Sequence, residues 1–154
     1  MKLSNILNES LVSTDLKAKN KSEVLEELMD ILVDAGAIKD RDSAFTSVLE
    51  REQKISTGMR YGIAIPHGKT ESIEHLVACL GISKNGIDFE SMDGELSRIF
   101  IMTLSPPDKI GPHLQFLAEI SQLFKDEKTR NLAIAAANSE ELMDAIAAYP
   151  KPGL

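Results

Sequence analysis

Cysteine is almost missing from this chain. Its 154 residues include a single one, Cys79, so no internal disulfide can form, as expected for a reducing cytosol. Positive charge is also in short supply: 17 Lys and Arg stand against 24 Asp and Glu, for a net charge of −7. Without a basic stripe there is no counterion release to drive binding, and nucleic acid is excluded as a partner. No apolar run approaches the roughly 18 residues a membrane span needs. The opening residues, MKLSNILNES, hold too short an apolar region for a signal peptide. The expectation is a cytoplasmic protein with no direct membrane insertion. There is no Walker-type glycine loop and no zinc-like ligand spacing, so neither a nucleotide-kinase machinery, a metal nor a cofactor is expected. Nor are there internal repeats or low-complexity linkers. A single domain over residues 1–154 follows, long enough to bury a proper core.

What is present reads as a globular α/β chain, 43% hydrophobic and 27% charged. Leu3–Leu7 suggests a short helical turn, and Leu11–Ala18 a first strand, Val12 and Leu16 alternating with Ser13 and Lys17. Asn20-Lys21-Ser22-Glu23 is a capping box. Val24, Leu25, Leu28, Met29, Leu32 and Val33 then follow at helical spacing until Gly36. A second helix is expected over Asp40–Glu52, capped by Asp40 or Asp42, with Ala44, Phe45, Val48 and Leu49 inward. Glu71–His75 is a polar connection with His75 facing solvent. Leu76–Ser83 is a near-continuous apolar run, hence a central strand, with Cys79 as a small buried hydrophobe. Asn85-Gly86 signals a turn, Ile87–Ser91 a short strand, Asp93-Gly94 another turn, and Arg98–Leu104 a second buried strand ending in the loop Ser105–Asp108. A helix from Ile110 or Pro112 to Phe124 would turn Leu114, Phe116, Leu117, Ile120 and Leu123 inward. Further helices are expected over Asp126–Ala137 and from the cap Asn138–Glu141 to about Ala148, before a frayed tail at Pro150, Pro152 and Gly153. That order implies a mixed sheet with helices packed on it.

The stretch Ser56–Lys69, STGMRYGIAIPHGK, organises the rest. Ile63-Ala64-Ile65 reads as a brief buried strand. Pro66, lacking a backbone donor, closes it, and Gly68, lacking a Cβ, leaves a flank open to a bulky group. His67 is thereby fixed at the end of a rigid element, a setting for a nucleophile or a ligand; the plainer alternative is an ordinary loop residue. A second histidine, His113, stands beside the helix start Gly111-Pro112. With Pro112 in the first helical position, His113 falls near the second, where free N–H groups and the helix dipole favour an anion. The alternative is a polar residue on an exposed first turn. Arg51, in the last turn of its helix, either complements the helix dipole or offers its planar fork of donors to an anion on His67.

The pattern Thr57-Gly58-x-x-x-Gly62-Ile63-Ala64-Ile65-Pro66-His67-Gly68 closely resembles the phosphohistidine motif of the enzyme IIA proteins of the phosphoenolpyruvate-dependent sugar phosphotransferase system. The resemblance is to the fructose/mannitol class, which includes the nitrogen-regulatory IIA proteins. It extends from about Leu3 to Ile146, and Arg51-Glu52 and Pro112-His113-Leu114 fit it. It implies a three-layer α/β/α sandwich with a mixed sheet. His67 would be the phosphoacceptor, modified on the ring nitrogen far from Cβ, with Arg51 and His113 stabilising the phosphoryl group. Phospho-HPr, or its nitrogen-branch counterpart, would be the donor. A cysteine of a IIB protein or domain would be the acceptor, for uptake of fructose, mannitol or a related sugar. The same motif also fits a regulatory IIA protein that acts by phosphorylation-dependent protein binding without sugar transport.

Imidazole suits a carrier, since its unperturbed pKa is about 6.5 and one nitrogen can attack while a carbonyl or carboxylate holds the proton of the other. Few fixed partners are expected around the phosphoryl group, because each extra ~1.4 kcal/mol of hold slows the hand-off about tenfold. Thr57 either donates its hydroxyl to the phosphate or caps the turn. Met59-Arg60-Tyr61 is bulkier than is common in the family, and Arg60 either adds a second cation or tunes docking. Met59 and Ile65 are candidates for an apolar docking face. Cys79 lacks the Cys-Pro type loop of IIB proteins, so no IIB function is fused here.

Overall fold

Residues 3–147 are described by a computed structural model. The chain opens with a helical turn, α1 (Leu3–Ile6), and a 3-10 turn over Glu9–Leu11. Strand β1 is only Val12–Ser13, much shorter than the Leu11–Ala18 the alternation suggests. Beyond Ser13 only the Leu16 N–H still reaches the neighbouring strand, at the Ile82 carbonyl, and the Lys17 and Ala18 N–H groups go to the Glu27 carboxylate. Helix α2 (Lys21–Asp34) starts at the expected box: the Asn20 side chain accepts from the Glu23 N–H at 2.9 Å. Glu23 returns the bond to Lys19 N–H, one residue before the cap. Helix α3 (Arg41–Lys54) is capped by Asp40 and runs two residues past Glu52.

The remaining strands are β2 (Ile63–Ala64), β3 (His67–Lys69), β4 (Val77–Ile87) and β5 (Ser97–Ser105). The order across the sheet is β1-β4-β5-β2, with β3 also on β5. β1 runs parallel to β4, β4 antiparallel to β5, and both β2 and β3 parallel to β5, so the sheet is mixed. Ile99, Phe100, Ile101, Met102, Thr103 and Leu104 are all fully buried, which requires cover on both faces of β5.

Side-chain alternation assigns the two faces. Cys79 pairs with Met102 and points its Sγ at the Leu28 carbonyl of α2. The next residue of β5, Thr103, points the other way and meets His113 of α4 (Ile110–Leu123). Helices α2 and α3 therefore cover one face. Helices α4, α5 (Glu127–Ala135) and α6 (Ser139–Ala147) cover the other, in the expected three-layer α/β/α sandwich. Ala148 and the expected tail at Pro150, Pro152 and Gly153 lie outside the described residues.

Several local expectations are corrected. Strand β2 ends before Pro66 as expected, but pairing resumes at once: β3 keeps the same register on β5, Ile63 opposite Ile99 and His67 opposite Thr103. The Pro66 carbonyl still accepts from Thr103 N–H at 3.0 Å. A proline without a donor is tolerated because this is an edge strand. Asn85-Gly86 is not a reversal. Strand β4 continues to Ile87, and residues 83–86 bulge opposite the single Arg98, with Gly86 at φ +81°. The segment expected as a strand, Ile87–Ser91, contributes only Ile87 to the sheet. Leu114, expected inward, is 63% exposed.

Candidate active site

His67 is the first residue of β3, on the face that carries α4. It is half-buried, and its Nδ1 lies 2.9 Å from the Ile65 carbonyl. A carbonyl only accepts, so Nδ1 carries the proton and the lone pair sits on Nε2. Burial lowers the pKa of the ring, and the Arg51 charge adds to this, while the Ile65 carbonyl pulls the other way. The net result is a neutral imidazole at neutral pH with a single nucleophilic nitrogen.

His113 stands beside it, ring centroids 5.6 Å apart and planes nearly perpendicular. It is buried, not on an exposed first turn. The helix opens at Ile110, so Pro112 is not its first residue, and the His113 N–H is spent on the Lys109 carbonyl. Its side chain, rather than its backbone, is what it brings to His67. His113 Nε2 and the Thr103 hydroxyl are 2.8 Å apart. Burial pushes its pKa down to about 4, helped by the neighbouring His67 and Lys69. When Thr103 donates to Nε2, the Nδ1–H of the neutral ring is left for an anion.

Gly68 faces the opposite side, where a Cβ would sit 2.7 Å from Ser47 Oγ and 2.9 Å from Val48 N. The bulky group that its missing Cβ admits is the backbone of α3, and Gly68 itself also lines the His67 cleft. That close approach carries Ser47, Glu50, Arg51 and Lys54 to the sheet edge. There they line a cleft of about 410 Å³ together with His67, Lys69, Ile110, His113 and Leu114. Arg51 is thus brought to the His67 cleft, with its Nη1 donating to the Ile55 carbonyl at 2.7 Å. Thr57 does not line the cleft: it is buried, and its hydroxyl donates to Glu52. Arg60 is exposed and likewise outside the cleft. Of the two candidates for an apolar docking face, Ile65 is buried and Met59 is exposed but outside the cleft, whose own apolar rim is Ile110 and Leu114, 52% and 63% exposed.

Sequence reasoning missed Lys54 and Lys69. The signal was available, since Lys54 stands three residues after Arg51 on one helix face and Lys69 two after His67 on one strand face. Three cations against Glu50 give the cleft a positive balance in a chain of net charge −7. A neutral imidazole with one free lone pair, opening onto a cation-lined cleft, can attack an electrophilic phosphorus and hold the anion it acquires. Among the described residues no group of three or more His, Cys, Asp or Glu side chains is placed to hold a metal. Cys79 is buried, and its thiol is pushed up to about 12 by that burial, so it offers no thiolate.

The family described as "Phosphoenolpyruvate-dependent sugar phosphotransferase system, EIIA 2" matches residues 5–149. The fructose-specific EIIA component of Haloferax volcanii is 34% identical over 145 residues, covering 94% of each chain. The fructose-specific EIIABC component of Bacillus subtilis is 32% identical over 151 residues, which are 98% of this chain and 24% of that protein's length. Among solved structures, the nitrogen regulatory protein IIA-Ntr of Neisseria meningitidis superposes with a TM-score of 0.82 at 23% identity, over 94% of this chain and 98% of the other.

Proposed function

The chain belongs to the EIIA 2 family of the phosphoenolpyruvate-dependent sugar phosphotransferase system, and we propose that within it His67 carries the phosphoryl group. In this reading phospho-HPr is the donor and a cysteine of a IIB protein or domain is the acceptor, in the uptake of fructose, mannitol or a related sugar. The observation that carries it is the bond from His67 Nδ1 to the Ile65 carbonyl, which leaves Nε2 to act in a cation-lined cleft.

In the forward step the Nε2 lone pair forms an N–P bond as the P–N bond to the donor imidazole breaks, and that electron pair returns to the donor ring. The Nδ1 proton stays on its bond to Ile65, whose carbonyl stabilises the positive charge the ring gains. Arg51, Lys54, Lys69 and the His113 N–H meet the phosphoryl oxygens. On hand-off a thiolate forms an S–P bond and the N–P pair returns to Nε2. Both relatives named fructose-specific support the transport role. The exposed Ile110 and Leu114 provide an apolar rim against which a protein partner excludes water.

The test is phosphorylation of the purified protein by phosphoenolpyruvate, enzyme I and HPr, followed by addition of IIB proteins. Stoichiometric acid-labile, base-stable label at His67 that passes to a IIB cysteine is expected. His67→Ala should take no label while keeping the wild-type circular dichroism spectrum. Full labelling of that variant overturns the assignment. Label at His67 that no IIB protein removes favours the regulatory role instead.

A further inference from the structure

We infer that Glu52 is the positioning residue that holds Arg51 and His67 in register with each other, by clamping the turn from which both are suspended. The inference builds on His67 as phosphoacceptor, but the geometry behind it stands separately.

Glu52 follows Arg51 on α3, so about 100° of helical rotation separates their side chains. Arg51 lines the cleft, whereas the Glu52 carboxylate is turned into the protein and is only 5% exposed. A buried carboxylate is costly unless its charge is paired and its lone pairs are filled. Here both oxygens are engaged. Oε2 accepts from the Thr57 N–H at 2.9 Å and faces Lys21 Nζ at 2.9 Å, and Oε1 accepts from the Thr57 hydroxyl. Lys21 is itself held, over the Phe89 ring at 4.7 Å. Ending a helix needs no such arrangement; a glycine at the C-terminus suffices.

The position of Thr57 matters because both halves of the site hang from its turn. Its carbonyl accepts from Ile65 N–H at 3.1 Å, and the Ile65 carbonyl accepts from His67 Nδ1–H at 2.9 Å. In the same turn the Ile55 carbonyl accepts from Arg51 Nη1 at 2.7 Å. The path Lys21–Glu52–Thr57–Ile65–His67 therefore fixes the peptide that selects the reactive tautomer, and the Ile55–Thr57 segment fixes the guanidinium. The Ser56 hydroxyl, bonded to the Phe89 carbonyl at 2.8 Å, ties the turn to the same segment that supports Lys21. Thr57, in the motif yet away from the cleft, acquires a role on this path.

The experiment compares wild type, Glu52→Gln, Thr57→Val and the double variant. Glu52→Gln keeps the shape of the side chain but removes the charge that Lys21 faces and turns one of the two acceptor oxygens into an amide donor. The first readout is the tautomer of His67 in the unphosphorylated protein, from ¹⁵N NMR of labelled histidine, which needs no phosphotransfer. Wild type should be Nδ1–H, and each single variant a mixture of tautomers. The second is transfer from phospho-HPr, where kcat should fall about 10- to 100-fold with the donor KM little changed, as for a reacting group displaced by about an ångström. The double variant should be no worse than the poorer single, because both act on one path. If Glu52→Gln does not fold, Thr57→Val alone decides the matter by the same readouts. Folded variants that keep His67 as Nδ1–H and transfer at the wild-type rate, or single effects that simply add, would overturn the inference. A wild type that takes no label at His67 would sink the proposed function, while the tautomer readout would still decide the role of Glu52.

Discussion

In the proposed carrier role, a single backbone carbonyl at His67 decides which nitrogen reacts. The Ile65 oxygen holds the Nδ1 proton and leaves Nε2 free. His113 is its counterpart in charge rather than in attack. Buried beside Thr103 it is neutral, with a pKa of about 4. A dianionic phosphoryl group on His67 adds an opposite charge next to that ring and favours its protonated form. The pKa of His113 should therefore rise on phosphorylation, which NMR titration of the phosphorylated and free proteins checks. His113→Ala should still accept phosphate but transfer it about tenfold more slowly, for loss of one charge-assisted bond of ~1.5 kcal/mol. Unchanged rates in both directions would remove His113 from the site. That His67, His113 and Arg51 share one cleft was foreshadowed by glycine, proline and helix-end signals, although the Pro112 signal placed the start of α4 two residues late. Spacing alone puts Lys54 on a face with Arg51 and Lys69 on a face with His67, but only the approach of α3 to β3 shows that those two faces meet in one cleft. The engagement of Thr57 with Glu52 was also out of reach, since it depends on how α3 ends, two residues later than its pattern suggests.

Helix α3 and the strand pair β2–β3 form the working element. Gly68 lets the α3 backbone approach until no Cβ fits, and the Ser47 hydroxyl accepts from Lys69 N–H at 2.7 Å across that contact. Gly68→Ala should push α3 away from β3. The expected cost is about 1–3 kcal/mol of stability, as for other overpacking substitutions, read from the urea midpoint. Phosphotransfer should slow in the still-folded fraction, because Arg51 rides on α3. Unchanged stability would mean that α3 yields without cost and that the close contact does not set the site. The strand at Ile63–Ile65 and its end before Pro66 were legible from the residues, but the resumption of pairing at His67 was not. Only the partner strand shows that the edge position spares the missing donor. Asn85-Gly86 misled for a related reason. A local turn signal does not reveal that β5 extends far enough to pair beyond it, converting a turn into a bulge.

Across the whole molecule, the order of elements was enough for the class and the layers, because consecutive strands and helices leave few ways to cover a mixed sheet on both faces. The charge distribution was not legible at this scale. A chain of net charge −7 gathers Arg51, Lys54 and Lys69 at one edge, a local positive field suited to the phosphoryl group of the proposed role in an otherwise acidic protein. Buried His113 also ties the fold to pH. Its folded pKa, about 4, lies below the roughly 6.5 of an unfolded histidine, so between these values the unfolded chain binds the extra proton. The stability linked to its neutral form is present above about pH 6.5 and is lost as pH falls towards 4. His113→Gln should flatten that part of the pH–stability curve relative to wild type in urea unfolding, and identical slopes would show that the ring protonates in the fold without cost.

In the proposed carrier role His67 is modified on Nε2 while Nδ1 keeps its proton on the Ile65 carbonyl. The most direct test is a long-range ¹H–¹⁵N NMR spectrum of the ¹⁵N-histidine-labelled protein after phosphorylation by phospho-HPr. A phosphorus coupling on Nε2 of His67 with Nδ1 still protonated is the predicted result. Phosphorus on Nδ1 of His67, or on His113, would contradict it.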